Sequence, residues 1–460
     1  MLVNDDVHVL SAAVSGIVAV PDSPGFTEET FAFNVATVHR PDVVLGAADA
    51  QDVVAGVKWA AEHRLPVSVQ STGHGANSAV DGGLLITTRR LQELQIDPIA
   101  RTARVGAGVK WRSVLEASVP HGLIGLHGSS TDVGVVGYTL GGGLPVLGRA
   151  HGFAADHVRG MEVVTADGVL RRIDADTEAD LFALMCGGKG NFGIVTALEF
   201  NLFPLADFYG GGIIYPGADA VGVLAAFREW LPTLPDEASP SISLLRLPDM
   251  EFVPPPLRDQ FVVHLRFAFP GNREEGDALL APMRAVSTPM MDTAGPMDYL
   301  DVDQVHMDPV DPLPYTEGGV LLKDLGEEAV ADLLKLAGEG SGCPLVMVEI
   351  RPLGGALATG RALPDAVSGR DAAFLLFLVG LDTPPVAEAS IASIRAILTA
   401  MVPYSTGYTL VNFHGAPGDE ADRARAWSPA VYERMRAAKA SYDPGNLLRF
   451  GHAITGVPSQ

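Results

Sequence analysis

Residues 52–64 carry apolar side chains at the spacing of an amphipathic helix. The side chains that share one face are Val53, Val54, Val57, Ala60 and Ala61. Pro66 ends this helix, and the tetrapeptide VSVQ follows with the pattern of a short strand. After a loop that contains His74, the run LLITT predicts a second strand. The chain therefore begins with alternating helical and strand elements.

The same mixture continues through about the first 200 residues. The segment ARTARVGAGVKW contains two strand-like runs. The next segment, RSVLEASVPHGL, predicts a helix that ends at Gly122, since glycine accepts the backbone conformation that follows a helix. This part of the chain is therefore expected to form an α+β or mixed α/β domain.

The pattern changes after Phe203, where long apolar runs typical of buried strands appear. These runs are GGGIIYPG, SISLLRL, FVVHLRFAF, LVMVEIR and AAFLLFLVGL. Helical segments separate them, among them VGVLAAFREWL and GEEAVADLLKLA. A second domain with a mostly antiparallel sheet is expected here. Near the end, a helix is followed by a turn at Pro444 and Gly445.

Composition and charge restrict the partners of this chain. Of its 460 residues, 47% are hydrophobic and 19% are charged, which is enough apolar material for a large core. The net charge of −23 argues against nucleic acid or an anionic membrane as the main partner. The two cysteines, Cys186 and Cys343, exclude a disulfide framework and leave one bridge open. The first apolar run follows Asp5 and Asp6 and is too short to span a bilayer, so we expect a cytoplasmic protein.

Four glycine-rich loops carry the strongest functional signal. They are STGHG, HGSSTDVGVVGYTLGGG, GRAHGFAADHVRGMEVVTADG and CGGKGNFGIVTALEF. Glycine lets the backbone approach a ligand closely, so that N–H groups reach phosphate or ring atoms. Neither the G-x-G-x-x-G fingerprint nor a P-loop is present. A single such loop would be read as an ordinary turn, but four within about 130 residues favour a cofactor site.

These motifs, in this order, resemble those of the FAD-linked oxidases of the vanillyl-alcohol oxidase type, and within them the berberine-bridge-enzyme-like group. The C-terminal runs LVNF and YDPGNLLRF extend the resemblance. It implies an α+β, two-domain flavoprotein with a discontinuous FAD-binding domain and a substrate domain built on a mostly antiparallel sheet covered by helices. The implied boundaries are residues 1–203 for the FAD-binding domain, 204–405 for the substrate domain and 406–460 for the returning segment.

The resemblance also implies how the cofactor is attached. The histidine of the first loop is joined covalently to the flavin in this family, and that position is His74. Many members add a second link through a cysteine in the second loop, where this chain has Ser130. Serine does not form the thioether, so we expect FAD bound covalently through His74 only. Thr72 and Gly75 stand where the family usually has glycine and serine.

Further FAD contacts are carried over by motif. The resemblance implies that the first loop surrounds the pyrophosphate through Gln70, Ser71, Thr72, Gly73 and Gly75. It implies that the ring and ribityl chain lie against Ser129, Val133, Gly134, Gly137, Tyr138, Gly141 and Gly142. It implies contacts near the adenine from Gly193 and Val195, and contacts from the C-terminal segment through Asn412 and Asn446. Asn446 is also a suitable residue for an ordinary turn. Val133 occupies the position where a small side chain accompanies access of oxygen.

The residue that removes the substrate proton does not follow from the resemblance. The family often uses tyrosines of a Y-x-N-Y run, and this chain has LVNF there. The candidate catalytic residues are Glu349, Arg351, Tyr138, Tyr408 and His414. Alternation along a strand puts Glu349 and Arg351 on one face. Glu349 is a candidate base and Arg351 a candidate group for binding a carboxylate or an anionic flavin, and the alternative is a surface ion pair on a sheet. Tyr138 replaces a frequent family histidine.

The resulting hypothesis is an FAD-dependent oxidase that takes a hydride from an alcohol, sugar or amine and produces hydrogen peroxide from oxygen. The alternatives are a flavin dehydrogenase with another electron acceptor, and a protein with a non-redox or ligand-binding role. The expected partners are a small-molecule substrate and oxygen, without nucleic acid or a membrane. The acidic segment DVDQVHMDP matches no metal-binding spacing, and we expect a polar loop there and no metal.

Overall fold

Two groups of β-sheets form the molecule, which is known from a computed structural model that describes residues 4–249, 253–361 and 363–456. The strands of the first group, in chain order, are β1 Ile17–Ala19, β2 Val43–Gly46, β3 Val67–Gln70, β4 Leu84–Thr87, β5 Leu94–Asp97, β6 Thr102–Gly106, β7 Leu123–Ile124, β8 Val158–Thr165, β9 Leu170–Asp174, β10 Gly193–Asn201 and β11 Phe203–Pro204. They form a four-stranded sheet in the order β1-β2-β4-β3, a five-stranded sheet in the order β5-β6-β10-β8-β9, and a β7-β11 pair. In the four-stranded sheet β2 and β3 each run parallel to β4.

The second group is a single eight-stranded antiparallel sheet. Its strands are β12 Tyr209–Pro216, β13 Ser239–Arg246, β14 Phe261–Phe269, β15 Met291–Asp292, β16 Gly295–Pro296, β17 Tyr315–Leu322, β18 Met347–Pro352 and β19 Phe374–Leu381. Seven of them follow the order β15-β12-β14-β13-β18-β19-β17, and β16 pairs with β12. The expected α+β fold with a mostly antiparallel second sheet is confirmed.

Helices surround both groups of sheets. They are α1 Asn4–Ala13, α2 Phe26–Thr30, α3 Ala50–Glu62, α4 Trp111–Ser118, α5 Val135–Leu140, α6 Gly148–His151, α7 Ala179–Met185, α8 Ala220–Trp230, α9 Arg273–Arg284, α10 Glu327–Ala337, α11 Ala387–Ala400, α12 Glu420–Ala424 and α13 Pro429–Tyr442. The predicted helix at residues 52–64 corresponds to α3, which starts slightly earlier because Asp49 accepts hydrogen bonds from the backbone N–H groups of Gln51 and Asp52.

The two faces of the eight-stranded sheet have different environments. On one face, apolar residues such as Val320 and Leu322 of β17 join the core that contains the side chains of α8, α10 and α11. Alternate residues of a strand point to opposite sides, and the opposite face carries charged side chains of β17 and β18 beside apolar side chains of β17 and β19. The sequence interpretation missed β17, whose apolar pattern is interrupted by Gly318 and Gly319. It also expected two strands within residues 100–111, where only β6 forms.

The C-terminal segment packs against the first group of sheets. Leu448 forms a bridge with Val67 at the start of β3. Lys439 of α13 is fully buried, and its ammonium donates to Asn191 O at 2.9 Å, Leu448 O at 2.6 Å and Asp443 Oδ2 at 2.7 Å. These contacts join the end of the chain to the β10 region. The domain boundaries at residues 203 and 405 stay a prediction.

Two further features of the chain concern its cysteines and its helices. Cys186 and Cys343 are both buried and both free. Within residues 4–249, 253–361 and 363–456, no helix has the length and apolar character needed to cross a membrane.

The buried ammonium of Lys439 supports a stability prediction. In Lys439→Ala, the Asp443 carboxylate loses its cation inside the protein, and the free energy of unfolding should fall by about 3–5 kcal/mol. Urea unfolding followed by circular dichroism measures this change. The matched control is Lys335→Ala, which removes an exposed ammonium 2.7 Å from Asp332 and should leave the unfolding midpoint nearly unchanged. Equal midpoints for the two variants would contradict the anchoring role of Lys439.

Candidate functional site

A deep cavity of about 450 Å³ lies between the glycine-rich loops of the first group of sheets and the face of the eight-stranded sheet that carries charged side chains. Its walls come from four parts of the chain: the loop after β3, the loop that leads into α5, the loop before β10, and the C-terminal segment. Strands β17, β18 and β19 contribute Glu317, Arg351 and Phe377 to the remaining wall.

Side chains and carbonyl groups hold the first part of the loop after β3 in place, and the backbone N–H groups of residues 72–75 take no part in this. The amide of Gln70 donates to Phe31 O at 2.9 Å and lies 2.8 Å from His39, while Arg89 donates to Ser71 O at 3.0 Å. The N–H groups of residues 72–75 donate to no acceptor in the described part of the chain. Gln70, Ser71, Thr72, Gly73 and Gly75 all line the cavity, and their contact with the pyrophosphate of FAD stays a prediction.

Glycine is required at position 73 by its backbone and by its neighbours. Gly73 has a φ of 78°, a conformation that side-chain-bearing residues rarely adopt. A Cβ atom there would lie 2.6 Å from the Cα of Ala32. This close approach brings the loop against residues 32 and 33, and so fixes the position of His74.

His74 lies on the cavity wall with its ring held on several sides. Its imidazole stacks on Phe33 with ring centroids 3.8 Å apart, and Nδ1 lies 2.7 Å from Thr72 Oγ1. Nε2 is buried without a hydrogen-bond partner and lies 4.0 Å from Asp132 Oδ2. Burial lowers the pKa of His74 to about 4, although the Asp132 charge opposes the change. The imidazole is therefore neutral at physiological pH.

The loop into α5 provides the next wall. Ser129, Val133 and Gly134 of this loop line the cavity together with Gly137 and Tyr138 of α5, and their contact with the flavin ring and ribityl chain stays a prediction. The Tyr138 hydroxyl is buried without a partner, and burial raises the pKa of Tyr138 well above its usual range.

Two predicted residues of this region, Gly141 and Gly142, do not line the cavity. A Cβ on Gly141 would collide with the Asn412 side chain, and Gly142 has a φ of 94°. Both glycines therefore permit the turn after α5, which is a structural role.

The acidic segment DVDQVHMDP contacts the loop that leads into α5 through Asp303. Its first five residues belong to a short 3-10 helix, Tyr299–Val305, and not to the polar loop that the sequence predicted, because Val302 and Val305 pack in an apolar cluster. The Asp303 carboxylate accepts hydrogen bonds from Arg112, from the Thr131 hydroxyl and from the Thr131 backbone N–H at 2.9 Å. In the described residues, no three His, Cys, Asp or Glu side chains are grouped as a metal site.

Lys189 enters the cavity from the loop before β10. It has a φ of 57°, which is uncommon for a residue with a side chain and is often found at functional sites. Its ammonium lies 3.4 Å from Gly137 O, and burial lowers the pKa of Lys189 to about 8 while Glu317 partly opposes this. Gly193 and Val195, predicted near the adenine, also line the cavity.

Glu317 on β17 is the carboxylate of the cavity wall; the other described lining residues include no Asp or Glu. Its Oε1 accepts a hydrogen bond from Asn77 at 2.8 Å. Burial raises the pKa of Glu317 to about 7, against the lowering effects of Asn77 and Lys189. Two residues away, the Tyr315 hydroxyl donates to His74 O. Strand β17 thus connects the sheet directly to the His74 loop.

Glu349 does not line the cavity, although the sequence offered it as a base. Its carboxylate is fully buried, 2.6 Å from Arg266 Nη1, 2.8 Å from Arg351 Nε and 2.9 Å from Ser241 Oγ. Burial would raise the pKa of Glu349, but Arg351 and Arg266 together hold it far below its usual range. Glu349 is therefore an anion that positions Arg351. The two residues form an ion pair that is buried, whereas the sequence offered a surface pair, and the catalytic roles suggested for them stay predictions.

The C-terminal segment lines the cavity, but mostly through residues other than those named from the sequence. Asn412 lines the cavity and donates to Tyr138 O at 2.9 Å. Tyr408, His414 and Asn446 are not on the wall. His414 lies 2.9 Å from Asp422 O, and Asn446 sits in a turn at φ 48°, which asparagine tolerates better than most residues.

Sequence reasoning missed several residues of the cavity wall, chiefly Asn77, Lys189, Glu317 and His452. Lys189 interrupts a run of glycines in CGGKGNFG, and a charged residue in a glycine-rich loop was the signal that could have identified it as a cavity residue. Glu317 follows Tyr315 at the two-residue spacing of a strand face. The two glycines after Glu317 interrupt the apolar pattern, so the sequence did not predict this strand.

Comparison with known proteins agrees with this geometry. Residues 41–174 match the sequence model of a family described as an FAD binding domain. The chain is 26% identical over 458 residues to the FAD-linked oxidoreductase YgaK of Bacillus subtilis, covering 96% of this chain and 97% of that protein. It is also 26% identical over 463 residues to (R)-6-hydroxynicotine oxidase of Paenarthrobacter nicotinovorans, covering 96% of this chain and 97% of that protein.

Solved structures show the same fold. Glucooligosaccharide oxidase of Acremonium strictum, which carries a 6-S-cysteinyl, 8α-N1-histidyl FAD, matches with a TM-score of 0.86 at 20% identity. The match covers 99% of this chain and 100% of that chain.

The cavity fits FAD, the cofactor that these matches imply. Buried polar atoms without partners face this region, namely Ser71 Oγ, His74 Nε2, Tyr138 Oη and His452 Nε2. Such atoms are rarely left unpaired in proteins, so a polar ligand is needed to satisfy them. The unpaired N–H groups of residues 72–75 suit a diphosphate.

Gly137 offers a test of this fit. A Cβ built at Gly137 meets no atom within 4 Å, and the residue lines the cavity, so a side chain there would occupy the ligand's space. We expect Gly137→Val to lose most of its bound FAD while it keeps its circular dichroism spectrum. Flavin absorbance relative to protein is the measurement. Gly222→Val is the control, because Gly222 is also helical and open but lies away from the cavity; similar flavin content in both variants would contradict this placement.

Proposed function

We propose that the chain, which has the fold of the berberine-bridge-enzyme-like oxidases, is an FAD-linked oxidoreductase that oxidises an alcohol, a sugar or an amine with oxygen as electron acceptor. The observation that carries this proposal is that His74, Glu317 and Arg351 line one cavity. FAD bound there would accept a hydride from the substrate carbon. The remaining steps depend on groups of this chain.

The proposal includes a single covalent bond to FAD, through His74. Ser130 lies on the cavity wall where a second link would form, and its hydroxyl is a much weaker nucleophile than a thiolate. Cys186 and Cys343 are buried and do not line the cavity, so neither replaces it.

Glu317 is the proposed acceptor of the substrate's O–H or N–H proton. The positions of the family tyrosines are occupied by Leu410, which packs in an apolar cluster, and Phe413, which has no ionisable group. Glu317 lines the cavity, and its pKa of about 7 lies near the working pH, where a general base is most effective. Lys189 contributes a positive charge that favours the ionised carboxylate.

Arg351 is the proposed anion-binding group. Its Nε donates to Glu349 at 2.8 Å, and its terminal nitrogens donate to no acceptor in the described residues. The guanidinium lies 5.4 Å from the centre of the Phe413 ring, an arrangement that fixes its plane. Arg351 is therefore available to a carboxylate of the substrate or to negative charge that develops on the flavin.

Oxygen use can be tested before any substrate is known. We expect the protein, once photoreduced without oxygen, to recover its yellow colour rapidly on mixing with aerated buffer and to release one peroxide per flavin. Val133→Leu narrows the cavity wall and should slow this recovery by about tenfold, equivalent to about 1.4 kcal/mol of barrier. Slow recovery in the unmodified protein, with rapid transfer to a dye, would instead identify a dehydrogenase.

The role of Glu317 leads to a prediction about pH. A panel of alcohols, sugars and amines, assayed for peroxide, supplies a substrate. Because the base acts when deprotonated, turnover should rise with pH through about 7 and then level off. Glu317→Gln should lower kcat by about 10²–10⁴ and abolish this rise. The control is Glu328→Gln on the exposed start of α10. An unchanged pH profile in Glu317→Gln would exclude Glu317 as the base.

A further inference from the structure

Three side chains around His74 form an arrangement that the resemblance does not describe. Asp132 Oδ2 lies 4.0 Å from His74 Nε2, and Asp132 Oδ1 accepts a hydrogen bond from Lys110 at 2.6 Å. On the other side of the ring, Thr72 Oγ1 lies 2.7 Å from Nδ1. The stacking of the ring on Phe33 fixes the plane in which these contacts are made.

This arrangement selects one tautomer of the neutral imidazole. A lone pair on Nε2 would face the negative charge of Asp132, whereas an N–H on Nε2 is attracted to it. Nε2 therefore carries the hydrogen, and the Thr72 hydroxyl donates to the lone pair of Nδ1. Nδ1 is thus the nitrogen that carries the lone pair, and the hydrogen bond from Thr72 must open before this pair forms a bond to carbon.

We propose that Asp132 is a positioning residue for covalent attachment of the flavin, which holds His74 with Nε2 protonated so that Nδ1 attacks the flavin methyl group. The inference rests on the proposed link through His74. Overall, one C–N bond replaces a methyl C–H and the imidazole N–H, and oxygen takes the two hydrogens and their electrons as hydrogen peroxide. During the attack the imidazole gains positive charge, and the Asp132 carboxylate stabilises it.

The low proton affinity of His74 supports the same role. Its pKa of about 4 keeps the ring unprotonated in the cell, so the Nδ1 lone pair is available. Asp132 is 34% exposed and lies in the loop before α5, in the same segment as Ser130. That loop therefore contributes an acid that acts on His74, although it lacks the cysteine of a second link.

Lys110 allows a positioning role to be separated from a structural one. Lys110 pairs with Asp132, and its backbone forms a bridge with Gly134, so it holds the same loop. If Asp132 served only to keep this ion pair, removing either partner would have the same effect. If Asp132 acts on His74, removing Lys110 leaves the carboxylate charge in place.

The experiment measures the fraction of FAD that stays with the acid-precipitated protein, both after purification and during incubation with added FAD in air. Intact-mass spectrometry checks the same fraction. We expect full attachment in the unmodified protein and none in His74→Ala. Asp132→Asn should bind FAD in the native state but attach it about tenfold more slowly. Lys110→Met, which keeps the Asp132 carboxylate, should attach it at least as fast as the unmodified protein.

Each other outcome has a distinct meaning. Normal attachment in Asp132→Asn would overturn the inference, and so would equally slow attachment in Asp132→Asn and Lys110→Met, which would indicate a structural pair. Asp132→Asn without any bound FAD would overturn it as well, because the acid would then be needed for binding. Absence of covalent FAD in the unmodified protein would instead refute the proposed link through His74.

Discussion

The site depends on one constraint, which is that the loop after β3 must be rigid while the backbone N–H groups of residues 72–75 stay unpaired. Its carbonyls and side chains provide the rigidity. Arg89 holds the carbonyl of Ser71, His39 holds the side chain of Gln70, and Tyr315 holds the carbonyl of His74. N–H groups that do not pair within the protein are left for an anionic ligand. Gly73 permits the close approach to Ala32 on which this arrangement depends.

Strand β17 connects this loop to the eight-stranded sheet, and the connection gives the cavity its second wall. Tyr315 reaches His74, and Glu317 accepts a hydrogen bond from Asn77 across 240 residues of sequence. Two carboxylates in different environments therefore lie on one face of the eight-stranded sheet. Glu349 lies among arginines and stays ionised, whereas Glu317 lies in the cavity with a single hydrogen bond and has a pKa near neutrality. The number of partners, rather than the residue type, separates a structural acid from a reactive one.

The electrostatics of the cavity are also set by burial. Lys189, Arg351 and His74 lie on its walls, and burial keeps His74 neutral while it weakens the proton affinity of Lys189. The cavity therefore combines neutral nucleophilic and titratable groups with positive charge, although the whole chain carries a net charge of −23. Such local charge can attract an anionic cofactor to an acidic protein.

The sequence by itself determined the local features of this protein. Apolar spacing predicted α3 and most strands of the large sheet, and the glycine-rich loops indicated a cofactor site, because these signals depend on neighbours in sequence. The same-face placement of Glu349 and Arg351 followed from strand alternation. Only the tertiary structure decided that Arg266, 83 residues before Glu349, neutralises that acid, and that Glu317 reaches the cavity instead. Proton affinity and hydrogen bonding depend on groups that folding brings together from distant segments, and no local pattern records them.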